Sequence, residues 1–138
     1  MSGGQLDLTC STVTGIAEDY IEYQAGSRGQ IQATQFAGLQ LQVWTQDVTA
    51  AGNTFTAADP VYTIPSWPER LAGNTFANTG GQSTIHIQGT SAGNTHWNAL
   101  GTATRYQLDD HTTIAAGHTL TISPGVEAAT LKDRKSVV

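Results

Sequence analysis

The sequence predicts an all-β protein, with a two-sheet antiparallel sandwich, of the jelly-roll type, as its architecture. Many short runs alternate apolar and polar residues, no stretch of a dozen residues has helical periodicity, and Gly-containing turn signals recur between the runs. The 138 residues are enough to bury one core without disulfides. We predict a single sandwich domain over residues 1–131 and a basic C-terminal tail over 132–138.

The run "LQLQVWTQ" has the clearest period of two. One face of this predicted strand carries Leu39, Leu41, Val43 and Thr45, and the other carries three glutamines and Trp44. Shorter runs of the same kind include "QLDLTCSTVT", "QIQATQF", "STIHIQG" and "HTLTIS". In contrast, "SWPERLAG" predicts one helical turn that starts at Pro68 and ends at Gly73, because proline suits the first helical position.

The tetrapeptide "AGNT" occurs at Ala51, Ala72 and Ala92, and "AGHT" follows at Ala116. Gly tolerates positive φ and Asn tolerates it better than most residues, so each copy is interpreted as a tight turn between strands. The spacing of 20 to 24 residues also fits the rungs of a short β-solenoid. The segments after the copies do not align with one another, which favours the sandwich and leaves the solenoid as the alternative.

The composition narrows the class of protein. The chain has 6 basic and 11 acidic residues, a net charge of −5, and no basic stripe of the kind that nucleic-acid binders carry. No apolar run is long enough to span a bilayer, and no secretion signal precedes the first strand, so we expect folding in a cytoplasm. Cys10 is the only cysteine and is expected to be a buried, inert thiol.

No catalytic or metal-binding signature stands out. His86 lies between two isoleucines and should point away from them, and "DDHTT" brings Asp109, Asp110 and His111 together. The paired histidines and carboxylate of a metal-binding jelly roll are missing, as is a G-x-S-x-G nucleophile turn. We therefore predict no enzyme activity, no cofactor and no metal.

The aromatic residues could serve a binding face. Rings on one face of a sandwich can stack on sugars, whereas buried rings with one polar partner are routine core residues. The sequence does not say which rings share a face. The candidates for such a face are Trp44, Trp67, Trp97, Tyr20, Tyr23, Tyr62 and Tyr106.

A small, acidic, Thr/Gln/Asn/Gly-rich chain with "LQLQVWTQDVTAAGNTFTAADP" and "TTIAAGHTLTISPGV" resembles virion proteins of tailed bacteriophages. It is most similar in size and texture to the cement, or decoration, proteins, one of which, from a short-tailed phage, is a jelly roll. The resemblance implies a structural protein on the capsid exterior that binds the major capsid protein and itself, as a homodimer in preference to a trimer. A carbohydrate- or receptor-binding module of a tail fibre is the alternative.

Two segments are candidates for the capsid contact that this resemblance implies. The first is the Pro-stiffened "PSWPERL", which presents Trp67 and Arg70, residue types that are enriched at interface hot spots. The second is the basic tail, with Lys132, Arg134 and Lys135. Neither a membrane nor a nucleic acid is expected as a partner.

Overall fold

A computed structural model describes residues 3–130 of the chain, and residues 1, 2 and 131–138 lie outside the description. The described part is built almost entirely from short strands. In chain order they are β1 Gln5–Thr9, β2 Thr12–Thr14, β3 Tyr20–Tyr23, β4 Arg28–Gln32, β5 Gln35–Ala37, β6 Gln40–Val43, β7 Val48–Ala51, β8 Thr54–Phe55, β9 Val61–Thr63, β10 Thr75–Phe76, β11 Ser83–Thr90, β12 Thr95–Trp97, β13 Ala103–Thr113, β14 Leu120–Ile122 and β15 Glu127–Thr130.

The strands wind into a β-solenoid. Every pairing between the described strands is parallel, and each strand pairs with strands one turn of the coil away. The prediction of an all-β protein is confirmed, but the antiparallel jelly roll is wrong and the alternative solenoid is correct. Period-two alternation identifies a half-buried strand, whatever the direction of its neighbour, so it could not separate the two architectures.

Six rungs stack along the axis, over residues 5–23, 28–43, 48–63, 68–90, 95–113 and 120–130. The last strands of the rungs form a six-stranded sheet, which we call the long sheet, in the order β15-β13-β11-β9-β6-β3. A second sheet has the order β10-β8-β5-β2. The first face begins with β1-β4-β7, continues with the 3₁₀ helix Pro68–Leu71, and ends with the pair β12-β14.

The core runs along the axis between these faces and is made by the alternate inward residues. Leu39, Leu41, Val43 and Thr45 are all buried, as the pattern of that run predicts. On the second sheet, the rings of Phe36, Phe55 and Phe76 lie directly above one another, with centroids 4.9 Å apart at both steps and nearly parallel planes. Parallel, in-register rungs place equivalent positions above one another, and at these positions all three rungs carry phenylalanine.

The first two AGNT copies form one corner of the solenoid. Thr75 pairs with Thr54 in the second sheet, so the two copies lie one above the other. Asn53 is fully buried there, and its Nδ2 donates to Ile31 O at 2.8 Å and to Asn74 Oδ1 at 2.9 Å. The copies are therefore turns, as predicted, but they turn the chain from one face to the next and do not reverse it into an antiparallel neighbour.

The first two rungs turn the same corner without the AGNT sequence. Gly52 and Gly73 have φ of 68° and 86°, and the equivalent residues in the rungs before them are Cys10 and Ala33, both with φ of 49°. This left-handed conformation is unfavourable for residues with a Cβ. Cys10 is exposed at this corner, so the prediction of a buried thiol is wrong.

The conformation of Ala33 leads to a stability prediction. Replacing Ala33 with glycine should raise the free energy of unfolding by about 0.5–1 kcal/mol, because the relief of left-handed strain exceeds the added entropy of the unfolded chain. Urea denaturation measures the change. Ala51→Gly, at the exposed end of β7 where φ is not positive, is the matched control and should be destabilising. A loss of stability in both variants would contradict the assignment.

The segment "SWPERLAG" forms the predicted short helix, a 3₁₀ turn over Pro68–Leu71. It replaces a strand on the first face and packs between β7 and β12. Trp67 at its start is completely buried, and its Nε1–H donates to Val48 O at 3.0 Å. Across residues 3–130, none of the helical structure is long and apolar enough for a membrane span.

Candidate functional site

The outward face of the long sheet carries a histidine that contacts two carboxylates and a tyrosine ring. Register places Gln42 opposite Tyr62, Tyr62 opposite His86, and His86 opposite Gln107. These residues alternate with the buried positions of β6, β9, β11 and β13, so they form a row across the sheet. His86 does point away from its flanking isoleucines, which are buried, as the sequence predicts.

His86 is held between two carboxylates. Its Nδ1 lies 2.6 Å from Asp109 Oδ2 and its Nε2 lies 2.8 Å from Asp59 Oδ1. The Tyr62 ring stacks on the imidazole with centroids 4.1 Å apart and an angle of 3° between the planes. The His86 side chain is only 11% exposed, whereas that of Asp59 is 47% exposed. We call these four residues the His86 cluster.

Asp59 and Asp109 reach His86 from the two neighbouring rungs. Asp59 stands immediately before Pro60 and β9, where the loop from β8 meets the long sheet. Asp109 lies where the pairing of β11 with β13 shifts register, between Ile87 and Gly89. Asp109 follows Gln107 by two residues, so alternation places both on the outward face. Gln107 Nε2 also donates to Asp109 Oδ1 at 3.1 Å, which fixes that carboxylate.

The cluster favours the charged imidazole. Burial by itself lowers the pKa of His86, but the hydrogen bonds to Asp109 and Asp59, with the negative charge of both carboxylates, raise it above its ordinary value. The Tyr62 ring contributes a favourable face for the cation. Burial, followed by the charges of Asp59 and Asp109, raises the pKa of Tyr62 to about 12.

This shift makes stability depend on pH. Because the His86 pKa is raised in the folded state, its contribution is complete below the unfolded value of about 6.5 and is lost as pH rises through the folded value. We expect the free energy of unfolding to fall by about 1 kcal/mol between mildly acidic and mildly alkaline pH, allowing for solvent around Asp59.

Urea denaturation of the parent and of His86→Gln across that range measures the effect. The variant lacks the titrating group, so the difference between the two curves removes the contribution of the other histidines. The free energies of the two proteins should converge as pH rises. Parallel pH profiles would contradict the assignment.

The geometry also limits what the cluster can do chemically. Both imidazole nitrogens face carboxylate oxygens, so neither has a lone pair directed at a substrate, and a general-base role would require one bond to break. In the described part of the chain, no group of three or more His, Cys, Asp or Glu residues could hold a metal ion. The hydrogen bonds of His86 with Asp59 and Asp109 link three consecutive rungs at the long sheet.

The predicted contact residues have different outcomes. Trp67 is buried and is not available for direct contact with a partner. The prediction that this loop presents Trp67 to a capsid is therefore corrected. The local geometry of this rung explains the burial: Trp67 fills the core beside the helix, where the first face has no strand. Arg70, in the last turn of the helix, is exposed. The remaining candidates lie outside the described residues, namely Lys132, Arg134 and Lys135.

The aromatic residues divide between core and surface. Trp97 is buried, donates from Nε1 to Pro65 O at 2.9 Å, and stacks on Tyr106. Tyr23 is buried as well. Trp44 is half-buried on the outward face of the long sheet, where its Nε1–H donates to Glu22 Oε2 at 3.0 Å. Tyr20 and Tyr62 belong to the same outward face, so only part of the predicted aromatic set is on the surface.

A shallow open groove of about 200 Å³ lies on the first face. Arg28 is one of its lining residues, and its Nε donates to Gln5 Oε1 at 3.2 Å. Asp7 accepts from both Gln30 N and Gln5 Nε2. The polar groups of this groove are therefore largely bonded to one another, and the groove is a weaker candidate for a site than the long sheet.

No family model matches this chain, and neither a curated protein nor a solved structure shows significant similarity to it.

Proposed function

We propose that this chain is a structural virion protein that binds the outside of a phage capsid and stabilises the shell. The observation that supports this role best is the outward face of the long sheet. His86 is paired with Asp59 and Asp109 in the His86 cluster, and Glu22 accepts a hydrogen bond from Trp44. These paired groups can meet a protein partner without being left as unpaired charges at the contact.

The residue types on this face also suit a protein interface. Tyr, Trp and Arg are enriched at interfaces and Lys and Glu are depleted. The long sheet presents Tyr20, Trp44, Tyr62 and Arg105 on a surface that is otherwise mainly Gln and Thr. The stacked rungs below supply a rigid support, because each inward residue is packed between those of neighbouring rungs.

Co-pelleting with phage heads that lack their decoration protein tests the proposal. The parent should pellet at a fixed ratio to the major capsid protein, and Gln42→Lys combined with Thr84→Lys, on the long sheet, should abolish it. Thr49→Lys, on the exposed first face, is the control and should pellet like the parent. Deletion after Leu131 tests the predicted tail contact separately. A parent that stays in the supernatant would overturn the proposal.

The second candidate, a glycan-binding module of a tail fibre, is favoured by one observation. Tyr20, Trp44 and Tyr62 lie on the same outward face, beside glutamines that can bond to sugar hydroxyls. Two of the three tryptophans are buried, however, which removes most of the predicted stacking platform. A glycan array discriminates the candidates: binding that is lost in Trp44→Ala would favour the tail-fibre role.

A further inference from the structure

Arg105 lies on the outward face of the long sheet with part of its guanidinium unsatisfied. It stands on β13 between Thr84 of β11 and Glu127 of β15, two residues before the outward Gln107. The residue is half-buried, and its Nε is buried without a hydrogen-bond partner in residues 3–130. An N–H of a charged group that has lost water and has no acceptor is unfavourable.

The acidic groups on the neighbouring strands are bonded elsewhere. The two carboxylates of the His86 cluster are bonded to the imidazole. Glu127, directly opposite Arg105 in the register, accepts from Gln82 Nε2 at 3.4 Å. Both ion pairs between described residues belong to His86, so Arg105 has no ionic partner among them.

A protein that covers this part of the sheet must therefore supply an acceptor to Arg105. Contact removes water from the guanidinium, and a buried charge without a partner is strongly unfavourable. Among the side chains of a protein, a carboxylate fits best, because it accepts two parallel N–H bonds from the planar guanidinium. Arg105 breaks no hydrogen bond from Nε to make this pair, so no existing Nε bond offsets the gain.

The surrounding side chains restrict the acceptor to a single carboxylate. Glu127 lies beside Arg105 on one side, and Asp109 is four residues further along β13, so a run of acidic residues would meet like charges. Thr84 and Gln107, the other neighbours on this face, are uncharged. One acidic side chain set among neutral residues matches this pattern.

We propose that Arg105 binds a single aspartate or glutamate side chain of the capsid protein. This inference rests on the proposed capsid binding and adds the chemistry of the contact. The carboxylate accepts from Nε and from one Nη, so Nε gains the acceptor that it lacks in the free protein. Because Nε is covered in the free protein, the side chain turns outward to form the pair.

Co-pelleting with phage heads that lack their decoration protein measures this contact. Arg105→Gln should bind at least about tenfold more weakly than the parent, and Arg105→Lys should recover only part of the loss, because an ammonium group does not form two parallel bonds. Arg28→Gln makes the same change in charge on the exposed first face and should bind like the parent. An Arg105→Gln variant that binds like the parent would overturn this inference and leave the capsid role standing.

A second measurement does not need the heads. Acetate serves as the carboxylate probe, and nitrogen–proton correlation NMR follows the arginine Nε–H signals, with sodium chloride at equal ionic strength as the control. The Arg105 signal should move downfield and saturate, whereas that of Arg28, whose Nε already donates to Gln5, should move less. Equal shifts would overturn the inference whether or not heads are bound. A shift at Arg105 with a parent that does not pellet would overturn the capsid role and retain the carboxylate site.

Discussion

Replacing Asn53 with alanine should lower the free energy of unfolding by about 3 kcal/mol. The side chain is fully buried, and its Oδ1 accepts from Thr34 N at 2.9 Å while its Nδ2 donates to Ile31 O at 2.8 Å. Alanine removes these bonds and leaves a buried N–H and a buried C=O without their partner. Each such group costs roughly 1–3 kcal/mol, so the sum exceeds the effect of an ordinary surface change. Urea denaturation gives the value.

The matched control comes from another copy of the same tetrapeptide. Asn94 is exposed, and its Oδ1 accepts a single hydrogen bond from Thr119 N at 2.8 Å. Asn94→Ala should therefore cost less than about 1 kcal/mol, because water can replace the lost partner. Equal losses in the two variants would mean that the corner asparagines are not organised as the structure shows.

Replacing Phe55 with alanine should cost about 4 kcal/mol, the second large effect. Phe55 is completely buried, and its ring stacks on Phe36 on one side and on Phe76 on the other. The truncation leaves a cavity between two rings that the backbone holds one rung away on either side, so collapse around it is limited. Thermal or urea unfolding measures the loss.

Phe55→Leu separates the two parts of this effect. Leucine restores most of the volume and removes the ring, so we expect a loss of about 1–1.5 kcal/mol. If Phe55→Leu were as damaging as Phe55→Ala, ring stacking would dominate over cavity formation. If neither variant were destabilised by more than 1 kcal/mol, as a rough threshold, the stack would not be a stabilising element.

The sequence was sufficient for the strand faces and for the short helix. Alternation assigns Leu41 and Val43 to the core because neighbouring side chains of a strand point to opposite faces. Pro68 marks the helical turn because its fixed φ suits a first turn. The direction of neighbouring strands could not be predicted in this way, since parallel and antiparallel neighbours bury the same alternate residues.

The repeat was harder to interpret because neighbouring rungs differ in length. The separation of stacked residues is 19 between Thr34 and Asn53, 21 between Asn53 and Asn74, and 25 between Asn94 and Thr119. Loops of different lengths absorb the difference and shift the apolar patterns out of alignment. The first two rungs also lack AGNT, because other residues occupy the left-handed corner position there.

The His86 cluster was only partly accessible from the sequence. The outward direction of His86 follows from its position between two buried isoleucines. Its partners, Asp59 and Asp109, lie 27 and 23 residues away, which is about one rung in each direction. Their proximity emerges only when the strand register is known, and alternation does not determine register between separate strands.

Within residues 3–130, strand pairing joins neighbouring rungs only, and this has a consequence for how the molecule loses its structure. Each strand pair joins adjacent turns of the coil, so no strand pairing links the first rung to the last. Local unfolding should therefore begin at the first and last rungs and proceed toward the middle rungs. Amide hydrogens should exchange with solvent fastest in β1 and β15 and slowest beside the Phe36–Phe55–Phe76 stack, where the middle rungs protect one another.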